Sequence, residues 1–467
     1  MSYQKPNILL IMSDEHAPQY SSIHGHPLVQ SPHMDRLASM GITFDNAYCN
    51  SPLCGPSRMS FMTGRYVHNN GCYDNGSPLG SDAVTWAHRL RDVGYDVVIS
   101  GKQHFCGLDQ LHGFRTQLGR DLHAEQWTTD GIPRGAADWD EGIVEGKPWG
   151  GVEAAGPGST TSIEVDDQVE AAALSYIRDP ARKDQPWAIN VGFIAPHFPL
   201  VVPERFYDLY PLDDIDLPEI PDGHLDNLHP VHQRMRRMFG CVDFPEEAVR
   251  RARAGYYGLI TYLDEKIGRL IDALEETGQL RNTIIINTSD HGEMNGEHGM
   301  WRKSNHYEAS ARVPLQIAWP GTFPDNKRVS QNVSLVDLVA TLIDVTWASR
   351  DVAPLDGESL RPLIEGEEPG WKDEAFSEYL AHGVEGPVAM LKRGDYKLNV
   401  SLGDAPQMFN IAEDPNEFTD LADDPEHKDI QKTLHRRLID IWGDPLAIEQ
   451  DVIRSQRERR FITGAPS

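Results

Sequence analysis

What most limits the folds open to this chain is an alternation between two kinds of segment. Four short segments carry a continuous apolar stretch without alternation: "NILLIMSD" (7–14), "YDVVISGK" (95–102), "PWAINVGFIAPH" (186–197) and "NTIIINTSDHG" (282–292). Between them lie segments of helical period at 31–41, 81–94, 165–179 and 246–278. In the first of these, Ser31 stands at the N-cap, Pro32 at the first helical position and Gly41 just past the end. A strand apolar on both faces must be covered on both, and helices between such strands are crossovers of a parallel sheet. The expected class is therefore α/β, a large mostly parallel or mixed sheet with helices on both faces.

Near residue 350 the character changes. A loop-rich stretch (349–370) leads into the strand-like pieces "EAFSEYL", "PVAMLKRGDYKLNV" and "PQMFNI", and a charged helix at about 426–442 is expected to close the chain. This predicts a small antiparallel sheet with a covering helix, hence a catalytic α/β domain over 1–350 and a smaller α+β subdomain over 351–467. The stretch 112–160, rich in Gly, Trp and Asp, has no period and reads as loop.

A formal net charge of −28 over 467 residues argues against nucleic acid or an anionic membrane as partner. Any anionic substrate must then meet a local cluster of cations. Five cysteines (Cys49, Cys54, Cys72, Cys106, Cys241) without CxxC spacing indicate neither a disulfide framework nor a zinc knuckle. The apolar run at 8–12 ends at once in Ser13-Asp14, and no stretch approaches the roughly 20 apolar residues of a membrane span. Cytoplasmic residence is the expectation.

Ligands of an open α/β sheet bind at the carboxyl ends of its parallel strands. Here those ends read Asp14-Glu15-His16, Lys102-Gln103-His104, Pro196-His197-Phe198-Pro199 and Asp290-His291-Gly292. One polar strand end is merely the start of a loop; four on one rim are a site. Asp14, Asp290 and His291 are natural ligands for a divalent cation. Lys102, His104 and His197 supply the cations that the acidic total charge demands.

"CGPSRMSFMTG" (54–64) reads as a loop entering a helix. The backbone N–H groups at such an end favour negative charge, and Arg58, one turn on, adds a forked donor suited to a tetrahedral oxyanion. An isolated cysteine is usually a buried inert thiol. Set before Pro-Ser-Arg and beside this rim, Cys54 reads as reactive.

Cys54-Gly55-Pro56-Ser57-Arg58 with Thr63-Gly64 resembles the C-x-P-S-R…T-G signature of the type I sulfatases of the alkaline phosphatase superfamily. "SGKQH" (100–104), "PHFP" (196–199) and "SDHGEMNGEHGMWRK" (289–303) are similar to the family's other blocks, in order, over about residues 5–345. "YDN" (73–75) and "GLDQLHGF" (107–114) look closest to choline-sulfatase-like members. The resemblance implies an alkaline-phosphatase-like fold. It implies that a separate maturation enzyme converts Cys54 to formylglycine, whose hydrate attacks sulfur to give a covalent sulfo-enzyme intermediate. By the same resemblance Asp14, Cys54, Asp290 and His291 hold one divalent ion. Arg58 and Asn75 orient the diol and the ester, and Lys102 and Lys303 bind sulfate oxygens. His104 is the base that releases sulfate, and His197 donates to the leaving alcohol or binds sulfate. Two departures stand out: Glu15 follows Asp14 where many sulfatases carry a second aspartate, and His291 stands where many carry asparagine. Glu15 is left out of the metal shell, and the nitrogen ligand opens a calcium site to manganese.

The expected reaction is hydrolysis of a small sulfate monoester, choline-O-sulfate or an aryl sulfate, with Trp127 as a candidate ring for a quaternary ammonium. The expected assembly is a homo-oligomer, dimer or tetramer. A phosphonate monoester or phosphodiester hydrolase using the same nucleophile is the first alternative. A metal-binding protein with unconverted Cys54 is the second. A two-zinc phosphatase lacks its extra ligands in this chain.

Overall fold

The computed structural model describes residues 5–123, 151–183, 185–241, 244–366 and 370–463. Its strands are, in order, β1 (Asn7–Asp14), β2 (Ile42–Tyr48), β3 (Asp96–Gly101), β4 (Thr116–Gln117), β5 (Gly156–Pro157), β6 (Trp187–Pro196), β7 (Val201–Val202), β8 (Thr283–Ser289), β9 (Arg312–Ala318) and β10 (Lys327–Ser334). Among the described residues, eight form one sheet in the order β10-β2-β9-β8-β1-β6-β3-β4. All run the same way except β9, which is antiparallel to β2 and β8.

β1 shows why both faces are covered. Leu9 and Ile11 enter one core with the helices Thr161–Arg178 and Glu246–Glu276. Ile8, Leu10 and Met12 enter the opposite core with Cys54–Thr63, Trp86–Asp92 and Leu335–Val345. The long helix buries Leu263, Ile267, Leu270, Ile271 and Leu274, spaced three and four apart, fully against the sheet. Each such side chain contributes about 1.5–3 kcal/mol.

A second, antiparallel sheet follows: β11 (Glu374–Tyr379), β12 (Val388–Arg393), β13 (Tyr396–Ser401) and β14 (Gln407–Asn410). The helix Lys428–Trp442 covers it through Leu434, Leu438 and Trp442, packed with Phe376, Leu391 and Leu398.

Several expected elements change. The helix expected from residue 81 begins at Trp86, because Thr85 and His88 form a capping box there. The chain does not close at about 442. Gly443 turns left-handed, Asp444 accepts the N–H of Leu446, and a further helix runs Pro445–Thr463. Asp-Pro after Gly was the available signal for that helix. Strands β2, β9 and β10 escaped the pattern because Asp45 and Asn46, Pro314, and alternating polar residues interrupt them. Trp127 lies outside the described residues. Among the described residues no helix is long and apolar enough to cross a membrane.

Candidate active site

Parallel register brings the strand ends together. Asp14 pairs with Pro196, Ser13 with Ser289, and Gly101 with Gly192. The segments after β1, β3, β6 and β8 therefore leave one edge of the sheet, and the helix Cys54–Thr63 starts beside them.

Every residue of that helix is buried, and Cys54 is its first, 2% exposed. Leu53 precedes it without a side-chain cap. The missing acceptor comes from elsewhere: Asn75 Oδ1 takes the Gly55 N–H at 2.8 Å. Gly55 permits the approach, since a Cβ there would lie 3.1 Å from both Asn75 Cα and Oδ1. Ser57 Oγ donates to Asp290 O at 2.5 Å, fixing the helix to the end of β8.

Donor atoms of Asp14, Cys54, Asp290 and His291 all lie within 4.8 Å of one another. Cys54 Sγ is 3.1 Å from His291 Nε2 and 3.6 Å from Asp14 Oδ1, and His291 Nε2 is 3.6 Å from Asp290 Oδ1. His291 Nδ1 lies 3.0 Å from the Gly292 carbonyl, which directs Nε2 inward as the ligating nitrogen. Two carboxylates, an imidazole and the Cys54 position fit a divalent cation. Burial lowers the His291 pKa, but Asp290 and Cys54 outweigh it and lift it to about 9. Proton and cation compete for one lone pair, so binding the ion releases a proton.

The buried cations are shared out closely. Arg58, fully buried, donates from Nε to Asp290 Oδ2 at 2.7 Å and from its other nitrogens to Lys102 O at 2.7 Å and Ser13 O at 3.2 Å. Three of its five N–H groups are thus committed to the protein, orienting the Asp290 carboxylate and the β1 and β3 ends. Lys102 Nζ sits on Asp14 Oδ2, and its backbone N–H donates to Gly192 O at 2.8 Å. Only glycine fits at 192, because a Cβ would fall 2.0 Å from Lys102 O. Burial would raise the Asp14 pKa, yet Lys102, His197, Arg58 and His291 together hold it well below the usual range.

Glu15, left aside in the sequence reading, is a buried anchor. Its backbone is left-handed (φ 67°), and its carboxylate meets Lys303 Nζ at 2.9 Å and His197 Nε2 at 3.3 Å. Against the cost of burial, His197 and Lys303 lower its pKa to about 2. Glu293 lies against it: burial first, then the Glu15 charge, push the Glu293 pKa well up. Burial takes the His197 pKa down to about 3, while its Nδ1 lies 2.7 Å from Phe198 O.

His104 is 3% exposed, left-handed (φ 64°), and has no hydrogen-bond partner at either ring nitrogen among the described residues. Burial, then Lys102 and His123, hold its pKa well below normal, so the ring is a neutral base. Its ring stacks on His123, centroids 5.0 Å apart and 19° between planes. Asp121 organises the pair: Oδ2 accepts the N–H groups of Gln103 (2.8 Å) and His104 (2.9 Å), and Oδ1 that of His123 (2.8 Å). Asp121, His123, Glu15 and Glu293 could have been suspected only as charges near recognised residues; nothing in their own spacing marks them.

Residues 6–348 match the sulfatase family model, and residues 296–443 match the model described as N-sulphoglucosamine sulphohydrolase, C-terminal. The chain belongs to the sulfatase family. It is a sulfuric ester hydrolase of the alkaline phosphatase superfamily, choline-sulfatase-like in sequence. It is 37% identical to a choline-sulfatase of Rhizobium meliloti, over 99% of this chain and 91% of the relative. It is 31% identical to an arylsulfatase of Clostridium perfringens, over 93% and 94%. Among solved structures, a phosphonate monoester hydrolase of Agrobacterium radiobacter superposes with a TM-score of 0.76 at 27% identity, covering 94% of this sulfatase and 96% of that chain. A protein solved in complex with its substrate D-glucosamine-2-N,6-O-disulfate superposes with a TM-score of 0.75 at 24% identity, covering 95% and 99%, which bears on the fold.

Proposed function

We propose that this sulfatase hydrolyses a small sulfate monoester, choline-O-sulfate or an aryl sulfate, to the alcohol and inorganic sulfate. One observation carries the reading: Cys54 begins a buried helix with its Sγ inside the Asp14, Asp290 and His291 group, ringed by Arg58, Lys102 and Lys303. Conversion of Cys54 to formylglycine by a maturation enzyme supplies a geminal diol, one oxygen of which takes the sulfo group while the other, once deprotonated, releases it as sulfate. Asp14, Asp290, His291 and the converted residue would hold a divalent cation, calcium first and manganese second, which would supply the positive charge that acidifies the diol.

The chain's own residues do the rest. Arg58 fixes the Asp290 carboxylate, and Asn75, its Oδ1 committed to Gly55, keeps its amide N–H groups for the ester or the diol. Lys102 and Lys303 each rest on a carboxylate and turn to sulfate oxygens when the ester enters. His104, neutral and unpartnered, takes the proton from the diol. His197 must gain a proton at Nε2 before it can give one to the leaving alcohol, and Glu15, 3.3 Å away, stabilises that proton.

The superposition on a phosphonate monoester hydrolase supports a second reading, a phosphonate or phosphodiester hydrolase with the same nucleophile. Steady-state turnover of choline-O-sulfate, nitrophenyl sulfate and nitrophenyl phenylphosphonate decides between them. The highest kcat/KM is expected on a sulfate ester, with all turnover lost in Cys54→Ala. Equal rates in wild type and Cys54→Ala overturn both readings; a preference for phosphonate overturns the first.

A further inference from the structure

The last helix, Pro445–Thr463, lies beyond both matched family models, which end at residues 348 and 443. Its exposed side is ordinary, with Arg454 paired to Asp451 at 2.7 Å. Its inner side is not. Ile448 and Val452 join the core of the small sheet, and one turn further on the helix buries two polar side chains, Gln456 (3% exposed) and Arg459 (5%). Both go to one acceptor: Gln456 Nε2 donates to Asp74 Oδ2 at 3.1 Å, and the Arg459 guanidinium meets that same oxygen and Ser77 Oγ.

Asp74 heads a tight turn. Its Oδ1 accepts the Gly76 N–H at 3.0 Å and the Ser77 hydroxyl at 2.9 Å, and its N–H donates to Ser77 Oγ at 3.2 Å. The next residue is Asn75, which supplies the cap that Leu53 cannot give to the helix of Cys54. The Asn75 carbonyl is pinned in turn by the Cys106 thiol at 3.0 Å. A buried, charge-assisted clamp therefore runs from the final helix through Asp74 to Asn75, Gly55 and the first turn of the Cys54 helix. A carboxylate that accepts four hydrogen bonds in a dry setting has one arrangement, and so has the backbone that follows it.

We infer that Arg459, seconded by Gln456, is a positioning residue for the active site. It acts through the Asp74 turn to hold Asn75 against the start of the Cys54 helix. The inference rests on the proposed sulfatase role of Asn75, and its test is built to separate the two.

Full-length Arg459→Met, Arg459→Lys, Gln456→Met and, as a control on the exposed side, Arg454→Met are compared with wild type. The extent of Cys54 conversion is matched by peptide mass over residues 51–65. Two readouts are taken: kcat and KM on nitrophenyl sulfate, and hydrogen exchange of the peptide amides containing Gly55. In Arg459→Met, kcat is expected to fall about ten- to a hundredfold with KM nearly unchanged, and Gly55 exchange to rise about tenfold. Arg459→Lys restores part of both, and Arg454→Met changes neither. Wild-type kcat and exchange in Arg459→Met overturn the inference, and so does a fall in kcat without faster Gly55 exchange. If Arg459→Met does not fold, Gln456→Met, which leaves the Arg459–Asp74 ion pair in place, is read by the same criteria. If wild type turns over no sulfate ester, the functional reading fails while the exchange measurement still decides the clamp.

Discussion

Lys397 and Lys102 are both fully buried ammonium groups, and they are satisfied differently. Lys397, on β13, donates to His306 O at 2.8 Å and to Glu308 Oε1 at 3.0 Å, and forms an ion pair with Glu417 Oε1 at 2.5 Å. The two acids divide one positive charge, so burial and Glu308 push the Glu417 pKa up to about 7, while Lys397 and Arg312 bring that of Glu308 down against burial. The cluster is closed. Lys102 rests on one carboxylate oxygen of Asp14, beside an imidazole, His104, with both nitrogens unpartnered among the described residues. That second arrangement has hydrogen-bonding capacity left for an incoming anion. Saturated buried charge holds a fold in register; buried charge with open capacity is held ready for a ligand.

The contrast can be broken at either end. The largest effect is expected from Lys397→Met, which strands the buried Glu308 charge and costs about 3–5 kcal/mol of stability by denaturant unfolding. The kcat of the folded fraction stays at the wild-type value; a specific loss of turnover would make the closed cluster part of the site. Lys102→Met should behave in reverse, lowering kcat/KM about 10²–10³-fold. Its unfolding midpoint in the presence of added calcium or manganese should shift less than that of Lys397→Met. A larger shift would assign Lys102 to the fold.

The smallest effect sharpens the comparison through pH. Glu15, with a folded pKa of about 2 against an ordinary 4.5, contributes stability above pH 4.5 that disappears as pH falls towards 2. Glu417, lifted to about 7, contributes stability below pH 4.5 that is lost as pH rises through 7. Between pH 4.5 and 7, Glu417→Gln should therefore gain stability relative to wild type, on the order of 1 kcal/mol. A relative loss over that window, read from melting temperatures, would reverse the sign assigned to Glu417.

Much of the site was legible because its residues occupy strand ends. Asp14, Lys102, His197 and Asp290-His291 each stand at the end of an apolar segment, and parallel register then leaves them on one edge. The uses of the side chains were less legible. Arg58 read as a donor to substrate, and the sequence did not show that it also donates to Asp290 Oδ2, Lys102 O and Ser13 O, acceptors that exist only once β1, β3 and β8 have met. Glu15 and Asp121 had no visible role for the same reason, since their partners are backbone N–H groups and cations brought in from other segments. The half-polar strands β2 and β10 and the helix after Gly443 were lost to weak or brief patterns. There the fold depends on pairing and packing that no local period records.

β1 also works as a ruler. Its odd residues Leu9 and Ile11 belong to one core, its even residues Ile8, Leu10 and Met12 to the other, and Asp14 is its last mark. Inserting a single amino acid between Asn7 and Asp14 would exchange the two sides of the strand and carry the aspartate about 3.3 Å outward. Inserting two would restore the sides but double the overshoot. Connections in this protein can change length without moving the site, while the span from Asn7 to Asp14 cannot.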